Sequence, residues 1–203
     1  MSTPQTLAQR IAGGRIGPLQ AAIVAQLRPL FPGVAVREHP GRVDVADLLS
    51  KELIPAPAIL VAPSRVRVPT DLEGGYGLRV DWAAFVAVED AVIAGRRIER
   101  HVVGTAIGGG LLDILRDPTA FRWGESDITD PLDDPAPELR PVMTIQTLER
   151  GIALYAVTWS QQLIALGTPF WDMGSAPPPD FTAEALLPGD PGWGEDEPPE
   201  EAP

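Results

Sequence analysis

Val142-Met143-Thr144-Ile145-Gln146-Thr147-Leu148, Glu149-Arg150-Gly151 and then Ile152-Ala153-Leu154-Tyr155-Ala156-Val157-Thr158-Trp159-Ser160-Gln161-Gln162-Leu163-Ile164 is the stretch that decides the fold. β-Branched and aromatic residues crowd both arms, and a short Gly-containing link between two such runs predicts a β-hairpin. Each arm is longer than the usual strand of about 5–6 residues. Such a hairpin either crosses a whole sheet or projects beyond it. It holds no catalytic group, which points to an assembly part rather than an enzyme.

Working outward, companions for the hairpin come from upstream. Leu78, Val80, Trp82, Ala84, Val86 and Val88 alternate against Arg79, Asp81, Ala83, Phe85 and Ala87. Period-two alternation of this length predicts a strand, and its second set turns from polar to apolar along the way. Residues 58–62 read as a buried strand that runs on, extended, through Arg65-Val66-Arg67-Val68, and 34–39 as a short strand closed by Pro40-Gly41.

Pro18, then Leu19, Ala22, Ile23, Gln26, Leu27 and Leu30, predict a helix ended by Pro32-Gly33, with Pro29 a strain near its end. Residues 1–14 carry a weaker helical pattern, and 44–53 a short amphipathic one. Residues 96–116 read as a helix interrupted at Gly108-Gly109-Gly110, where each glycine costs about 1 kcal/mol relative to Ala. Either the helix breaks there or a neighbour packs very closely. Phe121 and Trp123 suggest a short strand. The expectation is an α+β domain over 1–171: a mainly antiparallel sheet of four to five strands, two to three helices and a long C-terminal hairpin at the sheet edge, with 1–14 as a possible arm.

The charge is lopsided. Of 28 acidic residues, nine lie in 172–203 with no Lys or Arg beside them, leaving 19 against 16 basic residues in 1–171. That segment is rich in Pro and Gly and is expected to be a disordered tail, because it offers too little apolar surface to offset chain entropy. The nearly balanced body has no basic excess to draw it onto nucleic acid, so sequence-specific nucleic-acid binding is not expected. No apolar run approaches the ~20 residues of a membrane span, and no secretory leader is recognisable. The absence of Cys excludes disulfides, thiolate metal sites and Cys nucleophiles.

The candidate chemistry is sparse. Gly104-Thr105-Ala106-Ile107-Gly108-Gly109-Gly110 lacks the Gly-Lys-Ser/Thr ending of a phosphate loop and the third Gly of a dinucleotide fingerprint. A small-residue packing face or helix break is the better reading. Glu125, Asp127, Asp130, Asp133, Asp134 and Glu138 form an acidic loop without calcium-loop spacing, punctuated by prolines as a solvated link would be. His39 and His101 adjoin no nucleophile motif. Asp44/Asp47 and Glu89/Asp90 sit at element ends, where capping explains them. No catalytic, cofactor-binding or metal-ligating residue is therefore assigned. Arg65, Arg67 and Arg79 flank the Gly-rich link 74–77 and would cluster if the two strands pair. With Glu149, Arg150 and Gly151 of the hairpin tip, they are the candidate subunit or partner contacts.

This order, helix, strand, helix, two paired strands, long helix and a terminal hairpin ending in Ala156-Val157-Thr158-Trp159, resembles the tail terminator proteins of long-tailed bacteriophages, particularly those of Mu-like contractile-tailed phages. The likeness covers residues 15–166. It implies a non-catalytic virion protein, assembled in the host cytoplasm, whose homo-hexameric ring caps the head-proximal end of the tail tube and joins it to the neck. Its partners would be the tube, the sheath and head-tail connector proteins, with no cofactor and no membrane. The triglycine departs from the family's continuous helix, and the acidic tail is outside its pattern. The alternatives are a monomeric binding or assembly module with an acidic tail and a small metal-dependent hydrolase using the acidic loop.

Overall fold

The alternation read at 78–88 forms the central strand of the sheet. A computed structural model describes residues 6–41, 56–69, 77–117, 122–142, 149 and 151–164, all within one compact unit spanning 5–167. The expected helix at 44–53, the link at 70–76, Phe121, the hairpin arm 143–148, Arg150 and the tail 172–203 lie outside them.

In chain order the elements are α1 (Leu7–Ala12), α2 (Ile16–Leu30), β1 (Ala35–Glu38), β2 (Ala58–Arg67), β3 (Leu78–Val88), β4 (Ala91–Ile93), β5 (Arg96–Ile98), α3 (Arg100–Arg116), β6 (Glu138–Pro141) and β7 (Ala153–Leu163). Five strands form one mixed sheet in the order β1-β2-β3-β7-β6, with β1 parallel to β2 and every other pairing antiparallel. β4 and β5 make a separate two-stranded ribbon. The domain is α+β.

Both helices of the body cover one face of the sheet, α2 over β1 and β2, α3 over β3, β7 and β6. Ile59, Val61, Val80, Trp82, Val86, Val88, Tyr155, Val157, Trp159 and Leu163 form the core there with Leu19, Ile23 and Leu27 of α2 and Ile107, Leu111 and Leu115 of α3. Each fully buried large side chain of this kind contributes about 1.5–3 kcal/mol. The alternate residues Leu60, Ala87 and Leu154 form a smaller buried cluster on the second face, with Phe85 and Val142 against it. β7 is buried on both faces almost throughout. It lies between β3 and β6, so the return arm of the predicted hairpin is interior and β6 is the edge strand on that side. On that side its partner is β6, with Leu139 opposite Val157 and Pro141 opposite Tyr155.

Pro18 falls in the first turn of α2, where a missing N–H costs nothing. Pro29 is tolerated in the last turn, and the Phe31 amide closes the helix on Leu27 O. α3 runs unbroken through the triglycine, so of the two readings, a break or a closely packed neighbour, the second holds. The reason is close packing. A Cβ on Gly104 would stand 2.3 Å from Tyr155 Cε2 and one on Gly108 2.5 Å from Leu139 Cδ1, whereas Gly109 faces open space. Contact with β7 and β6 offsets the helix propensity that the glycines forfeit.

Two further expectations are corrected. Residues 96–98 are strand β5, not the start of the helix: Ala94 and Gly95, with φ of 52° and 76°, make the tight turn that reverses β4 into β5. Asp90 then fastens the ribbon to α3, accepting from Arg97 at 2.6 Å and from the Arg100 amide at 3.0 Å. That is capping by a carboxylate at an element end, as expected for Asp90. Trp123 lies in a turn, with φ of 52°, rather than in a strand. There its indole reaches back into the core.

Candidate functional site

Site geometry starts with an irregularity in β2. Pairing of β2 to β3 slips between Pro63 and Arg65, which makes Ser64 an extra residue. Its hydroxyl donates to Asp81 O at 2.9 Å. β1 pairs β2 only as far as Val61, so Pro63 sits where its missing N–H takes nothing from a neighbour. Had the alternation run on unbroken, Arg65 and Arg67 would fall on the helix-covered side. The bulge moves both to the second face. Arg65 becomes the register partner of Asp81, and Arg67 that of Arg79.

Three arginines thus share one end of the second face, and among the described residues two of them, Arg67 and Arg79, pair with one carboxylate. Asp81 accepts two hydrogen bonds from the Arg67 Nη2, at 2.9 and 2.8 Å, and one from Ser160 Oγ at 2.6 Å. Arg79 Nε lies 3.6 Å from it, and the Arg79 Nη2 donates to the Asp134 carbonyl. Burial opposes ionisation of Asp81. The bonds from Ser160 and Arg67 and the charges of Arg67 and Arg79 outweigh that, holding the carboxyl below the usual carboxylate range. Arg67 and Arg79 retain partial exposure, at 38 % and 22 % of their side chains, yet the Nε of each is buried with no acceptor among the described residues. Arg65 is exposed and makes no ion pair there.

The structure therefore brings together three of the sequence-derived candidates and adds Asp81 and Ser160. Asp81 was legible in principle, since Arg79 and Asp81 open the polar end of one alternating set. Gly151, at φ 75°, and exposed Glu149 lie near the opposite end of the strands, where Ala153 pairs Val88. Nine residues of strand, about 30 Å, separate that end from Arg79. The two candidate groups are not one site.

The remaining candidates stay apart. His101 Nδ1 is 3.2 Å from Glu99 on the exposed start of α3, and His39 Nδ1 faces Gly41 O at 2.8 Å in its own turn. The acidic loop is tied back by Arg15 to Glu125 and Asp127 at 3.4 and 3.5 Å, and by Arg122 to Asp130 at 3.4 Å. Among the described residues no three His, Asp or Glu side chains are grouped to hold a metal ion, and no helix is long and apolar enough to cross a membrane.

The described domain is a mixed sheet with helices on one face and a cation-rich end on the other. No protein-family model matches the chain, and no curated protein matches it.

Proposed function

We propose that the chain is a non-catalytic assembly subunit of the tail-terminator kind, forming a hexameric ring that caps the head-proximal end of a long-tailed phage's tail tube and joins it to the neck. The resemblance in element order supplies the family. The observation that favours an assembly role is the ladder of Arg65, Arg67 and Arg79. Planar guanidinium groups held on a rigid sheet suit bidentate contacts with a neighbouring protein surface. Closed rings are built from heterologous contacts of this sort, in which one patch meets a different patch on the next copy.

Negative-stain imaging of the purified protein, alone and with tail tubes, tests the reading. Rings in multiples of the 21.7 kDa subunit, or density on one tube end, are the expected result. A protein that stays monomeric at every concentration and decorates no tube end removes the terminator reading in favour of a monomeric binding module. A divalent cation that raises the Tm of the wild type but not of an Asp130, Asp133 and Asp134 triple Ala variant would favour the hydrolase.

A further inference from the structure

We infer that the arginine ladder is the docking site for the acidic segment Glu195-Asp196-Glu197-Pro198-Pro199-Glu200-Glu201 of a second copy of this chain. The inference rests on the reading of the chain as an assembly subunit and names the partner of that same surface. Charge complementarity is the first argument. Among the described residues, the ladder sets three cations beside one carboxylate, Asp81, which pairs with Arg67 and Arg79, and the neighbouring Glu138 and Arg140 pair with each other at 3.9 Å. Arg79 spends one N–H on a neutral carbonyl, that of Asp134. Arg65 has no partner among the described residues and stands exposed. The segment 172–203 carries nine carboxylates and no cation.

Spacing is the second argument. Arg65 and Arg67, two residues apart on β2 and on the same face, stand about 6.7 Å apart along the strand. Glu195 and Glu197 have the same two-residue step, and Pro198 biases Glu197 toward extended backbone. An extended Glu195–Glu197 pair therefore presents carboxylates at the interval of the guanidinium groups. Both sides contain few freely rotating alternatives, since Arg67 is already fixed by Asp81 and the Pro198-Pro199 step is stiff. A segment of one copy seated on the sheet of the next is a head-to-tail contact, the kind that closes rings.

Sedimentation of full-length protein in solution, with no tail tubes present, tests this. Wild type should self-associate at low salt and dissociate at about 0.5 M salt, where screening reaches a few Å. Arg65→Glu, a change at an exposed position without an ion pair, and the double variant Glu195→Lys with Glu197→Lys should each weaken self-association at least about tenfold. Mixing the two variants should restore association, because the unaltered acidic segment of Arg65→Glu can then seat on the unaltered ladder of the tail variant. Three results would overturn the inference: wild type that does not associate, variants that associate as wild type does, or a mixture that stays dissociated. The last is also the result of a segment folding back on its own copy. Failure of the terminator reading is separate, since it appears only as absent rings or tube-end density while association in the mixture persists.

Discussion

β3 and β7 carry two polar hubs on opposite faces, one residue step apart on β7. Toward the helices, Gln161 is 1 % exposed and accepts from the indoles of Trp123 and Trp159 at 3.0 and 2.9 Å, while its amide donates to Thr129 O at 3.0 Å. Trp159 stacks on Trp82, its register partner, with ring centroids 6.4 Å apart. On the second face, Ser160 reaches Asp81 among the arginines. The hub sealed from water is a neutral amide engaged on both its oxygen and its nitrogen. The charged hub keeps access to solvent and leaves guanidinium nitrogens unspent. Desolvation explains the division, because an unpaired charge on the helix side would cost far more than an amide with partners. One face seals its polar group inside the core, and the other keeps its charges next to solvent.

Breaking the sealed hub should give the largest effect. Gln161→Leu strands two buried indole N–H groups, and a loss of about 2–4 kcal/mol is expected in urea unfolding. A loss under about 1 kcal/mol would show that the hub is not what organises this face. Next in size is the tight seam of the same face. Gly104→Ala drives a methyl into the Tyr155 ring and should cost about 1–3 kcal/mol, whereas Gly109→Ala meets open space and should gain about 0.5–1 kcal/mol in thermal or urea melts. Opposite signs five residues apart would sharpen the claim that the seam, and not helix propensity, placed these glycines.

The smallest change is expected at the charged hub and only in its pH dependence. The folded-state pKa of Asp81 is depressed, so its contribution is present above the unfolded carboxylate value and is lost as pH falls through the folded one. Asp81→Asn should therefore flatten the acid limb of stability against pH below about 4 while costing little of the fold. Equal acid sensitivity in variant and wild type would mean that Arg67 and Arg79 do not act on this carboxylate.

Much of the fold could be read from local pattern. The alternation of 78–88, the apolar run of 58–62, the helical spacing from Leu19 to Leu27 and the dense β-formers of 152–164 all predicted their elements, since each pattern reports a face that must be buried. The β4–β5 ribbon was hidden because it is three residues a side, and its Ala94-Gly95 turn sits against arginines that also suit a helix start. Gln161 carried a signal that went unread: it occupies a slot in the set Tyr155, Val157, Trp159, Leu163, where the core requires burial. For the ladder, the residue types were visible but not their common side, because an unbroken period of two sends Arg65 and Arg67 the other way.

By itself, then, the sequence determined the main strands at 58–67, 78–88 and 153–163 and the helix at 16–30, that the body is nearly neutral and that three arginines border one link. Tertiary structure alone decided that the return arm at 153–163 is interior, that the triglycine helix runs unbroken and that those arginines share one face, with Arg67 and Arg79 on Asp81. The physical reason is common to all three. Burial patterns are local and leave their period in the chain, whereas strand order, a one-residue bulge and a close helix approach depend on partners far away in sequence.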